Sequence, residues 1–436
     1  MNPSSLLGHV LELIELIDTT GNSPADRTAA TFFRERKYLG SRDRRFIADT
    51  VFSLIRNRRY LEALLERFVE QHPTSTDLDA KTLRYLSLSA IYFATLGADL
   101  FEIPSSLWKI RFPSIDQPLL ADWAKEHKSL EFLEGNETVR LGVRYSFQDW
   151  MVDAWKEKFG ESTESLLQSL NMTGPTTLRV NTLKTDRASC QQRLKEEGVE
   201  TEATPISPDG LTVKKRFNAH ASPTFKDGWY EMQDEGSQLV SLLSAPKPGE
   251  LVIDACAGAG GKALHLAALM KNEGEIVAID VERRRLVELG DRVSRAGIRS
   301  VRPVLHETLT NEQFVDKADL VLVDAPCTGV GTIRRNPALK WSVSEGMSQH
   351  YAEKQQIILD GYARFVKPGG RLIYVTCSLL PKENEGVITA FQAAHPQFSP
   401  LTGPNEFSLP VDGGLITLTP HNNGTDGFFI AMMQRQ

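Results

Sequence analysis

Cysteine is scarce in this 436-residue chain, and the scarcity narrows what the protein can be. The four thiols, Cys190, Cys256, Cys327 and Cys377, show no C-x-x-C spacing. That argues against a disulfide framework and against structural zinc, so no metal is expected. Long apolar runs are also missing. Nothing approaches the roughly 18 residues a membrane span needs, and the N-terminus lacks a basic stretch leading into a cleavable apolar core. The expectation is a reduced, cytoplasmic protein with no membrane partner and no required oligomer. An excess of positive charge is absent as well, since 50 Lys/Arg face 56 Asp/Glu for a net charge of −6. A protein that coats nucleic acid indiscriminately would look different.

What is present is ordinary globular material, 41% hydrophobic and 24% charged, in a length that suggests two or three domains. The charge is unevenly spread. Between Arg27 and Tyr60 stand ten Lys/Arg and three Asp/Glu, an electrostatic footprint suited to phosphate or, equally, a solvated helix face. Up to about residue 130 the apolar residues recur at helical spacing: Leu6, Leu7, Val10, Leu11, Ile14 and Ile17, then Ile47, Val51, Leu54 and Ile55, then Leu83 to Ala94. Pro73 with Thr74-Ser75-Thr76-Asp77 marks a turn, and Pro104 closes the third stripe. A helical bundle over residues 1–135 follows. Over 136–240 the style changes. Phe147, Trp150, Met151 and Trp155 suit one amphipathic helix, and short strands around Thr176–Asn181, Leu211–Lys215 and Gly228–Met232 flank a helix near Arg187–Gly198. Together these make a small α+β subdomain, to which Arg179 and Lys214-Lys215-Arg216 add positive charge.

From residue 241 to 436 strands and helices alternate. Strands are expected at Leu251–Asp254, Ile276–Asp280, Val301–Leu305, Leu320–Val323, Arg371–Cys377 and Phe428–Met433, with Lys367-Pro368-Gly369-Gly370 as a tight turn. Helices fall between them, which predicts an α/β fold with a Rossmann-like parallel sheet covered on both faces.

The chemistry sits at the carboxyl ends of those strands, where open α/β sheets place ligands. Asp254-Ala-Cys-Ala-Gly-Ala-Gly-Gly-Lys262 follows the first strand and opens a helix, so Cys256, Ala257, Gly258, Ala259, Gly260, Gly261 and Lys262 are candidate cofactor contacts. Asp280 ends the next strand, where an acidic side chain can accept ribose hydroxyls. A P-loop fails, because Cys256 stands where its first glycine belongs and Ala263 offers no hydroxyl. A dinucleotide fingerprint is formally met by Gly258, Gly260 and Ala263, and S-adenosylmethionine is equally compatible. Two thiols at strand ends, Cys327 in Asp324-Ala-Pro-Cys327 and Cys377 in Thr376-Cys377-Ser378, favour the last. Methylating C5 of a pyrimidine needs a thiolate to add at C6 and make C5 nucleophilic, then acid–base help to undo the adduct. An aspartate such as Asp324 can read the cytosine edge, and Lys262 can promote a thiolate.

These residues resemble the RNA 5-methylcytosine methyltransferases of the Sun/Fmu group, most closely their bacterial 16S ribosomal RNA branch. DAPCTGVGTIRRNPALKW and YVTCSLLPKENE carry the likeness, and LRVNTLK, QDEGSQ and GTDGFF flank it. The resemblance implies Cys377 as the nucleophile, Cys327 as the thiol assisting product release, S-adenosylmethionine as cofactor, and RNA, small-subunit ribosomal RNA in particular, as partner. The helical bundle around SRDRRFIADTVFSLIR is similar to an antiterminator-type RNA-binding domain. Two departures stand out. Ala259 replaces a usual proline, and His306-Glu307 stands where the family has an aspartate for the adenine. Transfer RNA as substrate, a catalytically idle RNA-binding relative and a nicotinamide-dependent enzyme are the alternatives.

Overall fold

The computed structural model describes residues 1–20, 25–73, 81–96, 103, 116–309, 311–403 and 405–436. The expected Thr74–Asp77 turn and the Pro104 helix stop lie outside these residues. The chain divides into two compact units, Met1–Asn171 with Arg335–Ser344, and Met172–Arg334 with Glu345–Gln436. Among the described residues no helix is long and apolar enough to cross a membrane.

The first unit is helical. Pro3–Thr19 starts where Asn2 caps the amide of Ser5 and Pro3 occupies a position needing no N–H. It buries Leu7, Val10, Leu11, Leu13 and Ile14. Ser41–Arg56 buries Ile47, Val51, Leu54 and Ile55, and the stripes meet in one core with Leu61, Leu64, Phe68 and Leu86. Of the basic segment, Arg27, Arg34, Lys37, Arg42 and Arg45 are exposed, whereas Arg36, Arg44, Arg56, Arg58 and Arg59 are half-buried. Arg59 donates to Phe147 O and to Asp149 at 2.6 Å each, so part of the footprint is structural. The aromatic helix begins at Asp149 and ends at Phe159. Phe147 precedes it, not within it as the periodicity suggests, yet is fully buried with its ring edge-on to Trp155.

Arg335–Ser344 belongs to this unit although its sequence neighbours belong to the other. Trp341 donates to Ile55 O at 2.7 Å, and Gln148 donates to Lys340 O and Val343 O. Lys340 is fully buried, its ammonium over the Phe147 ring and donating to Arg56 O, Tyr145 O and Asn171 Oδ1.

The second unit contains two sheets. The smaller joins β1 (Thr176–Val180), β2 (Thr201–Ala203), β3 (Gly210–Val213) and β4 (Tyr230–Met232) in the antiparallel order β2-β3-β1-β4. The larger contains β5 (Leu251–Ala255), β6 (Glu275–Asp280), β7 (Val301–Leu305), β8 (Ala318–Asp324), β9 (Val366–Thr376), β10 (Phe398–Pro400), β11 (Leu415–Leu418) and β12 (Phe428–Arg435). Its order is β10-β12-β9-β8-β5-β6-β7, with β11 on β12, and β5 to β9 pair in parallel. Alternate residues feed opposite cores. Val252, Ile276, Leu320 and Ile373 face one, and Ile253, Val277, Val321 and Leu372 face the other. This period of two with no polar face explains the near-continuous apolar runs in the sequence.

The predicted turn Lys367–Gly370 lies instead inside β9. Val366 pairs with Ala318 and Arg371 with Leu320, so extra residues bulge at Gly369, whose φ of +77° suits glycine. From β5 the chain runs outward through β6 and β7, then crosses back to β8. The strand order therefore reverses between β5 and β8, which puts a ligand crevice at their carboxyl ends.

Candidate active site

Register builds the site. Ala255 pairs with both Ile279 and Val323, and Asp324 pairs with Val375. The loops leaving β5, β6, β8 and β9 therefore start at one level of the sheet.

The loop after β5 curls because Cys256, Gly258 and Gly260 all have positive φ, at +61°, +58° and +81°. Gly260 also caps the helix Gly261–Leu269, where a Cβ would meet Leu289 at 2.0 Å. Ala257 N–H donates to Ile279 O at 2.8 Å, and Gly258 N–H donates to Asp280 Oδ2 at 2.8 Å. The other Asp280 oxygen accepts the Glu282 amide. Two arginines hold the loop's carbonyls: Arg292 donates to Ala259 O at 2.7 Å and buried Arg179 donates to Gly261 O. Arg292 and Arg295 are themselves gripped by buried Glu231 of β4. The small sheet thus braces the loop, a role for Arg179 that its expected surface charge did not announce. Burial lowers the Arg179 guanidinium to about 10, and it stays charged at neutral pH.

Lys262 and Asp324 are brought together, Nζ to Oδ2 at 2.6 Å. Burial alone would lower the ammonium, but Asp324 outweighs it and the lysine is raised above its ordinary value. Asp254 is almost fully buried, and neither carboxylate oxygen has a hydrogen-bond partner of good geometry among the described residues. Burial first, then Asp324, push its carboxyl up to about 8, with Lys262 opposing. Cys256 is pushed by burial to about 12 and is inert as a nucleophile.

Cys327 and Cys377 meet with their sulfurs 3.4 Å apart. Both are half-buried and unbridged. Their loops interlock: Gly331 N–H donates to Cys377 O at 2.9 Å, and Gly427 N–H donates to Gly331 O at 2.8 Å. Buried Arg334 donates to Asp426 at 2.6 Å, which gives the GTDGFF segment its place against the Cys327 loop. His306 is exposed, its Nδ1 3.0 Å from Tyr362 Oη.

The 16S rRNA methyltransferase RsmB/F family matches residues 241–434, and the RsmF/B-like ferredoxin-like domain matches residues 147–220. The chain is 32% identical over 417 residues to the probable ribosomal RNA small subunit methyltransferase B of Synechocystis sp., covering 91% of this chain and 92% of that one. The Bacillus subtilis protein of the same description is also 32% identical, over 421 residues, with 91% and 92% covered. The crystal structure of PH0851 superposes with a TM-score of 0.77 at 30% identity, covering 100% of this chain and 99% of that one. The curled loop and the buried carboxylate of Asp254, which no side-chain cation neutralises by direct contact among the described residues, fit a cofactor that brings a cation, as S-adenosylmethionine does. The chain belongs to the RsmB/F family of S-adenosylmethionine-dependent ribosomal RNA methyltransferases.

Proposed function

We propose that this protein methylates C5 of a cytosine in 16S ribosomal RNA through a covalent bond between Cys377 and C6. The observation that carries the reading is the 3.4 Å approach of Cys327 to Cys377 beside the Lys262–Asp324 pair. A single strand-end thiol is often only packing; two in contact at the crevice suit a reaction that both forms and breaks a thioether.

S-adenosylmethionine supplies an electrophilic methyl group, and the loop Cys256–Lys262 with Asp280 and Asp254 would hold it. Everything else falls to the chain. The Cys377 thiolate adds to C6 and leaves electron density on C5. Asp324, held by the Lys262 ammonium at 2.6 Å, accepts from the exocyclic amino group and so prefers cytosine to uracil. Lys262 stays protonated and stabilises negative charge passing over the ring. After transfer, water takes the C5 proton as the C6–S bond breaks and Cys377 leaves as thiolate, and Cys327 assists by hydrogen-bonding its S–H to the departing sulfur. The target base has to be unstacked to reach these thiols. Exposed Arg27, Arg34, Lys37, Arg42 and Arg45 provide cations for the RNA backbone.

The test is Cys377→Ala assayed with small-subunit RNA and labelled cofactor. Methyl transfer is expected to vanish, and undiminished transfer contradicts the assignment. Bisulfite sequencing of RNA from cells lacking the protein identifies the nucleotide, and loss of a transfer-RNA methylcytosine instead of a ribosomal one redirects the substrate.

A further inference from the structure

Glu383 lies six residues beyond Cys377 and is fully buried. A carboxylate without solvent is costly unless its oxygens are met by donors. Here Oε2 accepts Thr328 N–H at 2.8 Å and Gln355 Nε2 at 3.3 Å. Oε1 accepts Thr328 Oγ1 at 2.6 Å, Ser378 Oγ at 3.0 Å and Ser348 Oγ at 3.3 Å. Thr328 follows Cys327 and Ser378 follows Cys377, so one carboxylate holds the residue after each thiol. Its donors include no cation, which sets it apart from the paired carboxylates elsewhere in this unit. The neighbouring Asn384 reinforces the clamp, accepting from Thr376 at 2.6 Å and donating to Ser378 O at 3.0 Å.

We infer that Glu383 is a positioning residue that locks the Cys327 loop onto the Cys377 loop and places an unneutralised negative charge behind Cys327. The inference rests on the proposed roles of the two thiols. Its consequence is a division of labour. The hydrogen bond to Cys377, then burial, then the charges of Cys377 and Glu383 push the Cys327 thiol well up, so it keeps its proton. The S–H of Cys327 then donates to the Cys377 sulfur, both before attack and on departure. The other titratable groups facing the pair are Tyr374 on β9, behind Cys327 beside Glu383, and Lys262 with Asp324 on the side of Cys377. Ser348 and Gln355, from the helix Glu345–Ala363, are neutral.

Glu383→Gln removes the charge and turns an amide N–H toward a donor. The expected result is turnover lower by about 100-fold, the cost of misplacing reacting groups by about an ångström, with S-adenosylmethionine affinity unchanged by calorimetry. The separate readout is iodoacetamide labelling of Cys327 and Cys377 across pH, resolved by peptide mass spectrometry and needing no RNA. In Glu383→Gln the Cys327 profile moves to lower pH. Thr328→Val keeps the charge and deletes one donor, so turnover falls while the labelling profile stays in place, and this variant decides the matter if Glu383→Gln does not fold. Normal turnover with wild-type labelling profiles in a folded Glu383→Gln overturns the inference, as does a Thr328→Val protein of unchanged turnover. Methyl transfer by Cys377→Ala, with the Glu383→Gln labelling shift intact, overturns the nucleophile assignment and leaves the clamp standing.

Discussion

Lys262 is half-buried and Lys340 fully buried, and their surroundings treat the charge in opposite ways. Lys262 sits 2.6 Å from a carboxylate, and Asp324 holds its ammonium above the ordinary value. Lys340 meets only neutral oxygens and the face of Phe147, and burial holds it well below that value. A paired charge at a crevice suits the reacting ligand proposed for it. A charge satisfied by carbonyls inside a helical unit is arranged for folding, because its three N–H groups satisfy acceptors that water cannot reach. The same residue type in the same chain is proposed as a site residue in one place and is a packing pin in the other.

Lys340→Met should break that contrast most visibly. It strands Arg56 O, Tyr145 O and Asn171 Oδ1, and a loss of about 3 kcal/mol or more is expected, read as a lowered calorimetric transition. Lys262→Met leaves only Asp324, which is partly exposed, so about 1 kcal/mol of stability is expected to go while turnover collapses by more than about 100-fold. Equal stability losses from the two variants would dissolve the distinction. Gly331→Ala comes next. Its Cβ would lie 2.2 Å from Gly427 O and 2.8 Å from Cys377 O, so about 1–3 kcal/mol and most of the turnover should be lost together.

Titration sharpens the comparison further. Lys262 is raised in the folded chain, so its pair with Asp324 stabilises fully below the lysine's unfolded value, about 10.4, and is lost as pH rises through the folded one. Asp324→Asn removes the raising charge and leaves burial, so the alkaline limb of the pH–rate profile should move to lower pH. Lys340 has the reverse sign, being lowered in the fold, and its cost to stability diminishes as pH rises between its folded and unfolded values. The smallest effect belongs to Arg45→Gln. Its pair with Asp49 is exposed, so stability should change by less than about 0.5 kcal/mol, while RNA affinity weakens and the salt slope falls by about 1.

Much of this was legible in the sequence because it is local. The alternation from Leu251 onward, the curled glycine loop and both cysteine motifs depend on neighbours within a few positions. What escaped depends on partners far away. Lys340 reads as a surface cation in a motif tail until its segment is seen packed with Arg56 and Tyr145. Glu383 reads as one acid of Lys-Glu-Asn-Glu until Thr328 is found on its oxygens. The strands Thr201–Ala203, Phe398–Pro400 and Leu415–Leu418 are too short for periodicity to register. The Gly369 bulge looked like a turn because pairing with β8, not local preference, keeps it in the strand.

The division of labour between the thiols is tested most directly by incubating Cys327→Ala and the Cys327→Ala/Cys377→Ala double variant with small-subunit RNA and cofactor. Each mixture is then run on a denaturing gel. The account predicts a slow-migrating protein–RNA band in the single variant that disappears in the double. A band that persists without Cys377, or no band alongside normal turnover in Cys327→Ala, contradicts it.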